Sequence, residues 1–276
     1  MTTHDLPHSG ESAARVRPAA YGQFDMALRF SLREQTRNRL AAILLIAFVP
    51  AWYAVTVALA DHQRLTFRLF ATGQELDVAG GHLTLITAGL NSLTMIVGFA
   101  VFDAVRKTLA FDRRLVFAGY RTSSLIAGKA LAVVAVAAAV ACYAALVLLA
   151  YWRPDPAGWL TILAAYTAIA LEYGALGLLL GVLVKGDLEG FFLIIMGGMM
   201  DTFLQNPLGN PLANKPFLRW FPSFGPTQFA VGGAFGRTAL WSYLGLGLAW
   251  ATAFACCGLV IFRVRTRGRA PKGGRR

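Results

Sequence analysis

Charge is what the middle of this 276-residue chain lacks. Six stretches, 40–60, 83–105, 125–150, 159–184, 190–204 and 239–262, are mostly apolar, and none carries more than one Asp, Glu, Lys or Arg. A bilayer core about 30 Å thick is crossed by about 20 helical residues at about 1.5 Å rise each. Soluble domains do not hold this much uninterrupted apolar sequence, so a hydrophobic content of 57% and a mean hydropathy of +0.55 imply lipid as the solvent. Cysteine is scarce as well. Cys142, Cys256 and Cys257 all fall inside apolar stretches with no CxxC or Cys/His spacing, which excludes a disulfide framework or a thiolate metal site. The four histidines, His4, His8, His62 and His82, form no cluster. No glycine-rich run precedes Gly128-Lys129, and HExxH, GxSxG and closely paired aspartates are missing. The chain therefore has no P-loop and no hydrolytic motif, and any ATP-driven work must be powered by another subunit.

What is present is basic charge, 26 Lys and Arg against 14 Asp and Glu, for a net +12. Arg15, Arg17, Arg29, Arg33, Arg37 and Arg39 precede the first stretch. Arg106, Lys107, Arg113, Arg114, Arg121 and Lys129 lie between the second and third or just inside the third, Lys185 follows the fourth, and seven more follow the sixth. Only Arg64, Arg68, Arg153, Lys215, Arg219 and Arg237 fall on the other side, a division of 20 to 6. The excess predicts six spans with both termini cytoplasmic. The expected location is a bacterial cytoplasmic (inner) membrane, crossed many times. Basic residues so placed fix topology and meet anionic lipid head groups; they do not make a nucleic-acid face.

The expected fold is all-α, a polytopic membrane protein of six transmembrane helices with an amphipathic cytoplasmic helix before them. Residues 1–20 read as a disordered cytoplasmic tail. In 21–39, Phe24, Ala27, Leu28, Ser31 and Leu32 share one helical face while Arg29, Arg33 and Arg37 line the other, which predicts an interfacial helix. The transmembrane domain covers 40–262 and a basic cytoplasmic tail 263–276. Ala58-Leu59-Ala60 resembles a signal-peptidase site, but the apolar run before it is long and follows nearly 40 polar residues, so an uncleaved span is expected. Pro50 should kink the first span. The 61–82 connection reads as an external loop too short for a domain. Gly177 and Gly181 form a small-xxx-small pair that permits close helix approach. Between spans five and six, Pro207, Pro211, Pro216, Pro222 and Pro226 interleave with Phe217, Trp220, Phe221, Phe224 and Phe229. That pattern fits broken helices re-entering the membrane; a stiff external loop lying over the bundle is the alternative.

Three polar residues inside the spans stand out as candidates for a translocation path: Glu172 near the centre of the fourth, Asp201 in the outer half of the fifth, and Asn91 in the second. A charge at mid-membrane costs at least about 2.5 kcal/mol, so Glu172 should face protein or water. It either takes part in transport or, as a neutral acid, hydrogen-bonds between helices, with Tyr166 and Tyr173 nearby in sequence. Asp201 reads more as a brace for the broken-helix turn than as a substrate ligand. Asp103 is expected to pair with Arg106 or Lys107. On the cytoplasmic side, Asp112-Arg113-Arg114 is followed by Leu115, Val116 and Phe117 and a turn at Gly119, with Thr122 or Ser123 able to cap the third span. A short amphipathic helix there would present an apolar and basic knob to a partner; a plain topogenic loop is the alternative.

These stretches, 111–119 with Gly128-Lys129, the leucine-rich run from Gly177 to Glu189, and the Pro/aromatic segment 206–235, resemble the membrane (permease) subunits of ABC-2-type ATP-binding-cassette exporters. The resemblance covers about 21–265 and is one of architecture and loose pattern. It implies a dimer of membrane subunits, identical or different, each seated on a separate cytoplasmic ATPase subunit that holds ATP and Mg, and each moving substrate outward. This chain would hold no cofactor, metal or catalytic residue. Coupling to the ATPase would fall to Asp112, Arg113, Arg114, Leu115, Val116 and Phe117, with Arg29 and Arg33 of the amphipathic helix. Small external loops and an apolar path would suit a lipid, drug or amphipathic peptide. A membrane-embedded lipid-modifying enzyme and an ion-coupled carrier using Glu172 are the alternatives.

Overall fold

The computed structural model describes residues 25–31, 33, 42–60, 64–206, 210 and 215–267. The expected tail 1–20, most of the amphipathic stretch 21–39, Pro207, Pro211 and the tail from 268 onward lie outside the described residues. The chain is mostly helical, and four helices are long and apolar enough to cross a membrane. These are α2 (Gly80–Phe117), α3 (Thr122–Leu148), α4 (Pro156–Leu183) and α7 (Trp241–Arg267). That is the signature of a membrane-embedded protein. Three shorter helices complete the bundle: α1 (Val49–Leu59), α5 (Asp187–Gln205) and α6 (Phe224–Phe235). Residues 25–31 and 33 are helical as well.

Helices α2, α3 and α4 reverse direction in turn, and α7 runs parallel to α4, with Gly258 against Leu179 and Arg265 at the Val182 carbonyl. Hydrogen bonds from Tyr143 to the Ile46 carbonyl and from Tyr151 to the Pro50 carbonyl show α3 running parallel to the first helical segment. Gly174 lies against Val97 and Gly181 against Val105, so α2 and α4 are also parallel, with α5 antiparallel to them. A β hairpin marks one end of the bundle; the turns rich in Arg and Lys mark the other, here called the basic end. The centre is the α2–α4 pair: 83% of the apolar window of α2 and 67% of that of α4 are buried, against 39% for α3 and 17% for α7. Gly177 makes this possible, because a Cβ there would strike the Gly98 carbonyl across the interface.

Pro50 does not act alone. A π-helical turn, Leu44–Phe48, precedes it, and Val49 and Pro50 open α1, where a missing N–H costs little. The Tyr143 and Tyr151 hydroxyls serve the Ile46 and Pro50 carbonyls, as irregular backbone among apolar helices requires.

The 61–82 connection is more than a loop. Strands β1 (Arg64–Arg68) and β2 (Glu75–Ala79) pair antiparallel, with Thr66 opposite Asp77. Leu76 and Val78 alternate inward and join Leu69, Leu83 and Val231 in a small second core. Outside it, Arg64 pairs with Asp77 at 2.8 Å, and that carboxylate holds the guanidinium pKa above its ordinary value. The Ala71 N–H donates to Gln228 Oε1 at 3.1 Å, tying the hairpin to α6. In α6 itself, ten of the twelve residues, Phe224 to Gly233, are buried. The Pro/aromatic segment thus holds a short 3-10 turn (Pro216–Trp220) and an interior helix.

Candidate functional site

Two groups of polar residues stand out, one at the basic end and one inside the bundle.

At the basic end, α2 continues without a break through Asp112 to Phe117, so the expected separate knob is the last two turns of a 38-residue helix. The helix stops at a turn whose Gly119 adopts φ 90°, and Tyr120 N–H closes onto the Leu115 carbonyl. The α3 helix then starts at Thr122 with Arg121 as N-cap; neither Thr122 nor Ser123 supplies the side-chain cap that the sequence suggested.

Asp112 is 1% exposed and faces inward, not toward a partner. Lys129 Nζ meets its carboxylate at 2.5 Å and donates to Thr108 Oγ1 at 2.6 Å, with the Phe262 ring 5.7 Å below the ammonium. This ion pair closes α2 onto α3. One residue earlier, Gly128 leaves room for the amino-terminal helical stretch: a Cβ there would come within 2.9 Å of Ala27 Cβ. Phe30 stacks on Phe111 at 5.3 Å, and the Tyr120 hydroxyl bonds the Ala27 backbone. Burial raises the Tyr120 phenol pKa, and the Ala27 bond opposes it. Leu115 and Val116 are half-buried against the core, while Arg114 and Phe117 are exposed, Phe117 by 63%. Arg29 pairs with Asp25 at 2.9 Å on the outer face, and Arg33 is exposed. The Arg113 side chain lies outside what is described.

The neighbouring turn is held by guanidinium groups. Arg106 bonds Asp187 at 2.6 Å and the Val184 carbonyl at 2.8 Å, and Arg265 donates to the Val182 carbonyl. Cations on the last carbonyls of α4 complement its negative pole. Asp103 pairs with Lys107 at 2.6 Å.

Inside the bundle, Asp201 accepts three hydrogen bonds: from Ser223 N–H at 2.9 Å, Ser223 Oγ at 2.7 Å and Tyr173 Oη at 2.8 Å. It pins the end of α5 to α4 and to the residue before α6. Glu172 is 0% exposed, and neither carboxyl oxygen has a hydrogen-bond partner among the described residues. Tyr166 and Tyr173, its neighbours in sequence, are engaged elsewhere: Tyr166 with Tyr53 at 3.1 Å and Tyr173 with Asp201.

Asn91 belongs to a different feature. Its Nδ2 donates to Thr202 Oγ1 at 2.8 Å, and its Oδ1 lacks a partner among the described residues. It forms part of the floor of a cavity of about 180 Å³ between α1, α2 and α5. Thr84 and Thr87 also line this cavity, and so does Trp52, whose buried indole N–H is likewise unsatisfied.

The structure brings Asp112 together with Lys129, which the sequence reading left out of the coupling set. The signal of Lys129 was legible, as the one charge in the third apolar stretch, but that of Asp112 was hidden by Arg113 and Arg114 beside it. Asn91 and Asp201 make different contacts: Asn91 donates to Thr202 beside the cavity, while Asp201 is held by Tyr173 and Ser223. Trp52, Thr202 and Ser223 were missed, since single Trp, Thr and Ser residues in apolar helices carry no pattern. Among the described residues no group of His, Cys, Asp and Glu is placed to hold a metal ion. Comparison with protein-family models and with curated protein sequences finds no match.

Proposed function

We propose that this chain is the membrane-spanning subunit of an ATP-driven exporter of the ABC-2 type, crossing the membrane six times with both ends cytoplasmic. The observation that carries the reading is the knot at the basic end. The amino-terminal helical stretch, the end of α2 and the start of α3 are joined by Gly128 against Ala27, Phe30 on Phe111 and Lys129 on Asp112. A partner pressing on exposed Arg114 and Phe117 would move these three elements as one body. ATP binding by that partner can shift the bundle only through contacts that differ between two states, and a rigid knot transmits such a difference. In this reading a second membrane subunit, identical or different, packs beside this one, as the resemblance to that family implies.

The test is co-purification from native membranes followed by charge reversal of Arg113 and Arg114. An ATPase partner should co-purify, and the double reversal should separate ATP hydrolysis from export while membrane insertion stays intact. Normal export by that variant would remove this segment from the coupling role. A second reading, an ion-coupled carrier, draws on Glu172, a buried acid with no hydrogen-bond partner among the described residues.

A further inference from the structure

We infer that a cavity at the basic end, between the start of α3 and the end of α7, binds the phosphate group of an anionic membrane lipid. The inference rests on the membrane-embedded fold and not on the transport reading, so neither falls with the other. The cavity measures about 260 Å³ and is lined by Arg121, Thr122, Ser123 and Ile126 at the start of α3 and by Arg263 near the end of α7. At about 30 Å³ per water there is room for about eight waters, or for a phosphate with the glycerol carbons that carry it. Two guanidinium groups from separate helical segments thus share one concave surface with two hydroxyls, and no Asp or Glu lines it. Charges of one sign around one cavity repel each other, and an anion seated between them replaces that repulsion by attraction.

Each polar lining group suits phosphate oxygens. A guanidinium presents its N–H donors as a planar fork that meets two such oxygens at once. The Thr122 and Ser123 hydroxyls add donors, and neither is spent on capping α3. Four acids of this end serve other cations: Asp25 holds Arg29, Asp103 Lys107, Asp112 Lys129 and Asp187 Arg106. Position favours a lipid over a free ion. Lys129 lies 5.7 Å from the Phe262 ring, so α3 and α7 meet just beside the cavity. The apolar stretch 125–150 begins next to Ile126, and the stretch 239–262 stops next to Arg263. A phosphate held there sits at head-group depth. Exposed Leu131 and Val260 continue along the same two helices into the apolar stretches, where acyl chains run.

The experiment is native mass spectrometry of the full chain in detergent, with no ATPase present. One titration uses dioleoylphosphatidylglycerol and another dioleoylglycerol, which has the same chains and no phosphate. The phosphatidylglycerol should bind about tenfold more tightly. Arg121→Gln and Arg263→Gln should each weaken it about five- to tenfold and leave dioleoylglycerol unchanged. Lys185→Gln removes an exposed charge at the same end, outside the cavity lining, and should change binding less than about twofold. Inorganic phosphate should displace little of the lipid; complete displacement would keep the anion site and assign it to a soluble phosphate. Equal binding of the two lipids would overturn the assignment. So would an equal loss in Lys185→Gln and the two cavity variants, which would leave only the diffuse attraction of a basic surface. Both cavity arginines are exposed, so their variants should fold; melting curves check this, and if one variant fails the other decides.

Discussion

At the basic end, Lys129 finds Asp112 at 2.5 Å and Thr108 at 2.6 Å, and Arg106 finds both Asp187 and a helix-terminal carbonyl. In the interior, Glu172 finds nothing, and Asn91 and Trp52 each keep one polar atom unmatched among the described residues. The physical setting explains the contrast. Charged groups near the end of an apolar bundle stay charged, and each must be paired to remain buried. A carboxyl deeper inside can avoid the penalty by keeping its proton, and neutral amides and indoles can wait for a ligand or water. Asp201 shows that depth alone does not decide the matter. It lies inside and still accepts three hydrogen bonds, two of them from Ser223 at the start of α6. The saturated groups all join separate elements; of the unsaturated ones Asn91 also joins two, through Thr202 on α5, whereas Glu172 makes no hydrogen bond to another element among the described residues.

The sharpest way to break this comparison is to unpair Lys129. Asp112→Ala leaves an ammonium buried without its counter-ion, and should lower the thermal stability of the detergent-solubilised protein by about 3–5 kcal/mol. Adding Lys129→Met should restore most of that loss, because a well-packed apolar pair often matches a buried ion pair. A single variant as stable as the parent would mean that water reaches Lys129. Asp201→Ala should cost less, about 1.5–3 kcal/mol, since it removes charge-assisted hydrogen bonds without stranding an opposite charge. It should also loosen α6, read as faster amide exchange from Phe224 to Phe235. Unchanged exchange there would show that the α6 packing against α4 and α7 suffices without the carboxylate.

Much of this arrangement was legible in the sequence, and what was not has physical reasons. The four long apolar helices could be read from hydropathy because lipid imposes length and composition on every crossing. The Asp103–Lys107 pair was legible because i, i+4 neighbours on a helix meet. The hairpin was not: Arg64–Arg68 and Glu75–Ala79 are five residues each, and their alternation is set by the small core under Leu69, Leu83 and Val231. Nor was the fate of the 111–119 segment. A charged run between two spans reads as a separate amphipathic knob or a plain loop, yet α2 runs on through it and Asp112 turns inward to Lys129, 17 positions along. Glu172 is the reverse case. The sequence offered two tyrosines as partners, and helical geometry directed both elsewhere.

Glu172 therefore gives the smallest expected effect and the most informative one. Read from sequence, with a hydrogen bond to a neighbouring helix, Glu172→Gln should be tolerated and Glu172→Leu should weaken the fold. With neither oxygen partnered among the described residues, the order reverses. Leu matches the apolar surroundings and removes two polar atoms that gain nothing from burial, so Glu172→Leu should leave stability unchanged or raise it by up to about 1–2 kcal/mol. Gln has nearly the same shape and leaves its polar atoms equally unpartnered, so it should be close to neutral. Melting curves of the two variants in the same detergent, with the export rate measured beside them, decide the point. Should Leu prove stable but fail in export, Glu172 serves transport rather than folding, and the ion-coupled reading gains. Should Leu destabilise the protein strongly, the carboxyl has a water or ion partner after all, and the contrast between the paired end and the unpaired interior no longer holds.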